Sequence, residues 1–112
     1  MAMIRYSREN LVSEPACLEI YKIVRNGFVD NGSGININEI KDQITGYSSI
    51  KILHHLSQLN IVGIILEEAK ERDGKSMQTY RPNPMSEWAV DFERKLGLDP
   101  TKVGFDWEAL GK

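Results

Sequence analysis

Apolar residues recur every three or four positions in four stretches of the chain, and this spacing predicts four amphipathic helices. The predicted helices cover residues 14–29, 34–44, 48–62 and 86–96. A residue type that often caps helices stands at or near the start of each: Ser13, Asn36, Ser48 and Ser86. Asn36 is followed three residues later by Glu39, a spacing typical of a capping box.

The predicted helix 48–62 has two different sides. Ile52, Leu56 and Leu59 fall on one side, which we expect to pack into the core. The opposite side is mostly polar and carries these residues: Ile50, Lys51, His54, Ser57 and Gln58. Leu53 and His55 lie on the flanks. The polar side has hydrogen-bonding groups that a partner molecule could use.

After this helix the pattern becomes extended. Gly63 is expected to end the helix, and residues 64–72 and 75–81 flank Asp73-Gly74, a dipeptide typical of a type I′ hairpin turn. Pro82 and Pro84 should end the returning strand, because proline cannot donate a ladder hydrogen bond. The sequence therefore predicts one β-hairpin.

The tip of this hairpin carries charges of both signs. Lys70, Arg72 and Lys75 surround the turn and make it locally basic. Three acidic residues lie on the same predicted strand: Glu67, Glu68 and Glu71. Basic side chains would suit a phosphate backbone, and the acids would repel it if they faced it. A charged hairpin that only stays soluble and protects its edge is an equally good interpretation.

The last predicted helix has an apolar stripe with two large aromatic residues. Trp88, Phe92 and Leu96 either close the core of the monomer or pair with the same helix of a second copy. We expect the homodimer, because two aromatic side chains are a large apolar surface for a helix at the edge of a small domain. The segment that follows holds Phe105, Trp107 and Leu110, which are expected to pack on the same subunit or on a partner.

Length and composition favour one soluble domain. The chain has 112 residues, 41% of them hydrophobic and 27% charged, with a net charge of −2. Residues 1–84 are balanced in charge, and residues 85–112 hold six acids and four bases, so bulk charge gives no support to nucleic-acid binding. No apolar run approaches the roughly 20 residues of a membrane span. A single cysteine fits a reducing, cytoplasmic location.

Sites for catalysis, cofactors or metals are not expected. No glycine-rich phosphate loop, nucleophile elbow or zinc-hydrolase pattern occurs in the sequence. His54 and His55 are the only histidines, and as neighbours on a helix they point about 100° apart. Cys17 lies on the apolar stripe of the first helix, where we expect it to pack as a small hydrophobic residue. The sequence therefore predicts a protein without enzymatic activity, metal or cofactor.

The order of these elements resembles the winged helix-turn-helix regulators of bacteria and archaea, in particular the ArsR and MarR groups. The run His54–Ile65 is similar to the end of their recognition helix and the corner that leads into the wing, with Val62-Gly63-Ile64 at that corner. Asp73-Gly74 matches the wing turn, and Thr79-Tyr80-Arg81 resembles the strand after it. Two features depart from the family pattern: His54 stands where an arginine is usual, and the paired cysteines of metal sensors are missing.

The resemblance implies a mainly α fold with a small β-hairpin wing, and one domain over residues 13–96. Residues 1–12 would be an N-terminal arm and residues 97–112 a C-terminal tail. The partner would be double-stranded DNA, read by the helix at 48–62 and the wing at 64–81, in a transcriptional regulator. The expected contacts are Ser48, Ser49, Lys51, His54, Gln58, Arg72 and Lys75, and Ile50 could touch a thymine methyl. The alternative is a protein-interaction adaptor of a transcription or replication complex without strong DNA affinity.

Overall fold

The computed structural model describes residues 14–104, except for the side chain of Arg72, and this part of the chain contains four α-helices and one β-hairpin. The elements follow one another in this order: α1 Pro15–Asn31, α2 Ile37–Gln43, α3 Ser49–Ile61, β1 Ile65–Arg72, β2 Lys75–Pro82, α4 Glu87–Lys95 and a short 3₁₀ helix Pro100–Val103. The predicted mainly helical fold with a small antiparallel hairpin is confirmed. Ser13, the arm 1–12 and the aromatic residues of 105–112 lie outside the described residues.

The predicted helix caps of α2, α3 and α4 are present. Oδ1 of Asn36 accepts a hydrogen bond from the backbone N–H of Glu39 (2.9 Å), and the Glu39 carboxylate accepts one from the N–H of Asn36 (3.1 Å). The hydroxyl groups of Ser48 and Ser86 likewise accept a hydrogen bond from the backbone N–H of the third residue of their helices. These local bonds satisfy N–H groups that a helix start leaves without partners, which is why the sequence located the starts correctly.

Helix α1 differs from its prediction at both ends. Its N-cap residue is Glu14, whose side chain makes no capping bond, and Pro15 occupies the first turn, where its missing N–H is not needed. The helix continues to Asn31, two residues past the predicted end, and stops at Gly32 in the left-handed conformation (φ 73°). The glycine is the residue that permits this stop.

The hairpin has the predicted turn. Asp73 and Gly74 both have positive φ angles, 55° and 76°, as a type I′ turn requires. The strands pair in register from Ile65 opposite Pro82 to Arg72 opposite Lys75. Strand β2 thus reaches Pro82, one residue beyond the predicted end.

A further strand contact was not predicted from the sequence. Ile35 pairs with Tyr80 on the free edge of β2 through two backbone hydrogen bonds of 3.0 and 2.8 Å. Gly34 is required beside it, because a Cβ there would lie 2.9 Å from the carbonyl oxygen of Tyr80. Gly27 of α1 is similarly close, and a Cβ there would lie 2.6 Å from Cγ2 of Ile35. The segment before α2 is thus held between α1 and the hairpin.

This contact gives a stability prediction. We expect Gly27→Ala to lower the free energy of unfolding by about 1–3 kcal/mol, because the added methyl overpacks a fully filled site. Ile35→Ala costs stability by itself, but the double variant should lose less than the sum of the two single losses, because Ile35→Ala removes the atoms that the new methyl meets. Denaturant unfolding of the two single variants and the double variant measures the coupling. Lys22→Ala on the exposed side of α1 is the control, and additive losses would contradict the contact.

The core is formed by all the helices together with the base of the hairpin. It includes Ile20, Tyr21 and Val24 of α1, Ile40 of α2, the predicted Ile52, Leu56 and Leu59 of α3, Ile65 and Tyr80 of the hairpin, and Phe92 of α4. Val103 is also buried, so the packed body continues beyond residue 96, where we had placed the start of a tail.

Candidate nucleic-acid interface

The outward side of α3 is more apolar than a solvent-exposed helix face usually is. Ile50, Leu53 and Ile61 are 81%, 42% and 65% exposed. At about 100° per residue these three positions fall within about 80° of one another, opposite the buried Ile52 and Leu59. His54 and Ser57 lie among them and are exposed. Helix α3 therefore presents a mixed apolar and polar stripe that its own subunit leaves uncovered over residues 14–104.

The first turn of α3 carries three of the predicted contact residues. Ser48 is exposed, and its Oγ accepts from the N–H of Lys51 (3.1 Å), which leaves its hydroxyl hydrogen available for another acceptor. Oγ of Ser49 accepts a hydrogen bond from Nζ of Lys41 in α2 (3.1 Å). The exposed Lys51 places its Nζ 4.9 Å from the centre of the Tyr47 ring. Two ammonium groups and two hydroxyls thus gather at this end of the helix.

The two histidines of α3 have different surroundings. His54 is exposed, with its ring edge against the His55 ring at 5.4 Å. His55 is buried, and its Nδ1–H donates to Oε1 of Gln58 (2.8 Å). The buried thiol of Cys17 also lies near both groups, 3.7 Å from Nδ1 of His55 and 3.8 Å from Oε1 of Gln58.

This cluster changes what was expected of Gln58. We had expected it on the polar side as a DNA contact, but its carbonyl oxygen is held inward by His55. Burial, together with the charge of Glu14, raises the pKa of the Cys17 thiol to about 12, so this thiol packs as a neutral group. Of the contacts predicted on α3, Ser48, Lys51 and His54 are therefore exposed on the outward side. Gln58 is half-buried behind it, hydrogen-bonded to His55.

The hairpin register separates most of its charges. Residues opposite each other in the ladder share a face, and successive residues alternate between faces. Lys70 lies opposite Met77, and Lys75 lies opposite Arg72, so both lysines belong to the same face. Glu67 and Glu71 lie opposite Tyr80 and Ser76, on the other face. Of the three strand acids, only Glu68 shares a face with the lysines, which removes much of the repulsion considered above.

Glu67 has a partner within the hairpin. It lies directly opposite Tyr80 in the ladder. Burial and this carboxylate together raise the pKa of Tyr80 to about 12. Glu67 therefore lies near the base of the hairpin, away from its basic tip.

A groove runs between the hairpin and the helices that precede it. It has a volume of about 360 Å³ and is lined by apolar side chains from three elements: Ile37, Leu53, Met77 and Tyr80. Asn36 also lines it, and its Nδ2 lies 3.4 Å from the sulfur of Met77. Leu53 of α3 borders the groove on one side and residues 76–80 of β2 on the other, so the two predicted contact elements lie next to each other.

The residues expected to dimerise are not all available for that role. Phe92 is completely buried and packs against the Tyr21 ring, with ring centres 5.1 Å apart. The expectation that it contacts a second copy is therefore wrong, because it closes the core of its own subunit. Trp88 and Leu96 are half-buried against the same core. Met85, just before α4, is 56% exposed.

A buried ion pair next to Phe92 was not predicted from the sequence. The Nε of Arg25 in α1 donates to Oε1 of Glu93 in α4 (3.1 Å), and the Tyr21 hydroxyl donates to Oε2 (2.6 Å). Nη2 of Arg25 also donates to the carbonyl oxygen of Asp99 (3.0 Å). The spacing of Tyr21 and Arg25, one turn apart on α1, was the only available indication. Burial outweighs the two donors and raises the pKa of Glu93.

Residues 14–104 were compared with two kinds of site, a cluster of metal ligands and a membrane-spanning helix. In residues 14–104, no three His, Cys, Asp or Glu side chains come together as a metal site. None of the helices in that range combines the length and the hydropathy that a membrane-spanning helix needs.

The candidate interface thus consists of the outward side of α3, the groove and the basic face of the hairpin tip. Comparison of the chain with protein families, with curated proteins and with solved structures finds no match.

Proposed function

We propose that the protein has a winged helix-turn-helix fold and binds double-stranded DNA as a transcriptional regulator. In this proposal α3 is the recognition helix and enters the major groove, and the hairpin is the wing and contacts the phosphate backbone. The observation that carries the proposal is that the exposed side of α3 lies next to strand β2, across the groove between Leu53 and residues 76–80. Ser48, Lys51 and His54 contribute hydrogen-bond donors to the candidate interface, and Lys70 and Lys75 contribute charge.

The small number of basic side chains predicts a weak dependence of duplex binding on salt concentration. Lys51, Lys70 and Lys75 would neutralise about three phosphates, and Arg72 is placed by the register at the same end of the hairpin. Each phosphate contact contributes about 0.9 to the slope of log K against log salt concentration, so a slope of roughly −3 is expected. Such a protein would obtain much of its affinity from contacts other than charge.

The salt dependence tests these assignments. Lys51→Ala should reduce the slope by about one, and the double variant Lys70→Ala/Lys75→Ala by about two, because each change removes one phosphate contact. The measurement is duplex binding over a series of salt concentrations, on a site obtained by selection from random duplexes. Lys95→Ala at the exposed end of α4 is the matched control and should leave the slope unchanged. No retardation of any duplex at low salt would exclude the proposal.

A second function is favoured by one observation. Ile50, Leu53 and Ile61 form an apolar stripe along three turns of α3, which would also suit a protein partner. The protein would then be a winged-helix adaptor. Ile61→Ser distinguishes the two functions, because residue 61 lies at the end of α3 away from the first turn. It should weaken an adaptor complex and leave duplex binding intact.

We also propose that the regulator is a homodimer, as two half-sites would require. With Phe92 assigned to the core, the remaining candidates at this end are Trp88, Leu96 and Met85. Sedimentation of the preparation used for the selection measures the oligomeric state, and a monomer at all concentrations would contradict this part.

A further inference from the structure

The first two turns of α3 present two aliphatic side chains to solvent. Ile50 is the second residue of the helix and is 81% exposed, and Leu53 is one turn further and is 42% exposed. Single exposed aliphatic residues are common and need no explanation. Here, however, the two lie side by side, with His54 next to Ile50 on its other side, in the half of the helix that would meet base edges.

The chemistry of the major groove restricts what these side chains can contact. Adenine, guanine and cytosine present hydrogen-bonding groups there, which would lose water without gaining a partner against isoleucine or leucine. Thymine is the base whose edge also carries an apolar group, the C5 methyl.

The spacing of the two side chains matches neighbouring base pairs. The helix rises 1.5 Å per residue, so Ile50 and Leu53 are separated by about 4.5 Å along its axis. Base pairs follow one another at about 3.4 Å. Two side chains at this separation can each lie over a different base pair, while Lys51 and His54 contact the backbone or base edges beside them.

We infer that Ile50 and Leu53 select DNA sites with thymines at two neighbouring base pairs, through contact with their C5 methyl groups. This inference rests on the proposed DNA binding and adds a sequence preference to it. It also explains how a surface with few bases would reach specific affinity.

Replacement of thymine by deoxyuridine tests it, because the two bases differ only in the C5 methyl group. On a site selected from random duplexes, the intact protein should bind about three- to fivefold more weakly when uridine replaces either contacted thymine, the expected effect of losing one methyl-sized contact. Thymines elsewhere in the site should tolerate the change. Ile50→Ala should abolish the effect at one position and Leu53→Ala at the neighbouring one, and Ile50→Val should retain most of it.

Ile61→Ala is the matched control, since this exposed aliphatic residue lies three turns away and should leave the thymine-to-uridine ratio unchanged. Tight duplex binding with equal affinity for thymine and uridine at every position would overturn the inference and leave the proposed function standing. Absence of binding to any duplex would overturn the proposed function itself. Loss of a protein partner in Ile50→Ala, with no uridine effect in the intact protein, would assign the stripe to the adaptor function instead.

Discussion

Arg25→Met is expected to lower the free energy of unfolding by about 3–5 kcal/mol at neutral pH, because it leaves the carboxylate of Glu93 buried without its cation. Glu93 is completely buried, and its remaining donor is the Tyr21 hydroxyl at 2.6 Å. The same change removes the bond from Arg25 to the carbonyl oxygen of Asp99, which holds the segment after α4 against α1.

The cost should depend on pH in a defined direction. Burial already raises the pKa of Glu93 in the folded protein, so its protonated form is favoured there relative to the unfolded chain. Its contribution to stability is therefore fully present below the unfolded pKa of about 4.3 and is lost as the pH rises through the folded value. Without the guanidinium the folded pKa rises further. The destabilisation by Arg25→Met should thus grow with pH above about 4.

Denaturant unfolding at several pH values measures this effect. Addition of Glu93→Gln to Arg25→Met should recover much of the loss at neutral pH and remove its pH dependence, because the buried charge is gone. Arg94→Met, a change at an exposed arginine of α4, is the control and should alter stability by less than about 0.5 kcal/mol. A loss in Arg25→Met that is the same at every pH would show that the ion pair is not its cause.

Phe92→Ala is expected to cost about 3–5 kcal/mol, the usual loss for deletion of a fully buried aromatic side chain. The ring lies against Tyr21, whose hydroxyl holds Glu93, so the cavity would open next to the buried ion pair. Because Phe92 packs within its own subunit, the loss should be the same at low and high protein concentration.

Phe28→Ala provides a matched comparison for this experiment. It deletes the same group from α1 at a half-buried position, where the ring lies 4.4 Å from the Arg81 guanidinium, and should cost less. Unfolding curves at two widely different protein concentrations give the loss of stability in each variant and show whether it depends on concentration. A loss in Phe92→Ala that grows as protein concentration rises would return Phe92 to a contact between subunits.

Features that depend on residues close in sequence were predicted well. The Asn36–Glu39 capping box and the Asp73-Gly74 turn each involve residues at most three positions apart, so local chemistry determines them. The buried side of α3 followed from its periodicity. In α4 the periodicity was misleading, because the buried side includes the charged Glu93 beside Phe92. A helix side that buries a glutamate cannot be identified from the spacing of apolar residues alone.

Contacts between distant residues could not be predicted. Arg25 and Glu93 are 68 positions apart, and neither residue type suggests burial. The inward orientation of Gln58 depends on His55 one turn away and on Cys17 in another helix. For the candidate interface, the sequence indicated Ser48, Lys51 and His54 correctly as exposed or capping residues, but the separation of hairpin charges needed the ladder register.

The pairing of Ile35 with Tyr80 has a mechanical consequence. The hairpin is attached to the body at both edges, through β1 to the end of α3 and through Ile35 to the start of α2. Its base therefore has little freedom to swing toward or away from α3. For the proposed DNA binding, a hairpin held at both edges would adapt little to the shape of the duplex, so the duplex would have to bend to fit it. Flexible steps at positions that the protein never touches would then be favoured, in addition to the bases that it contacts.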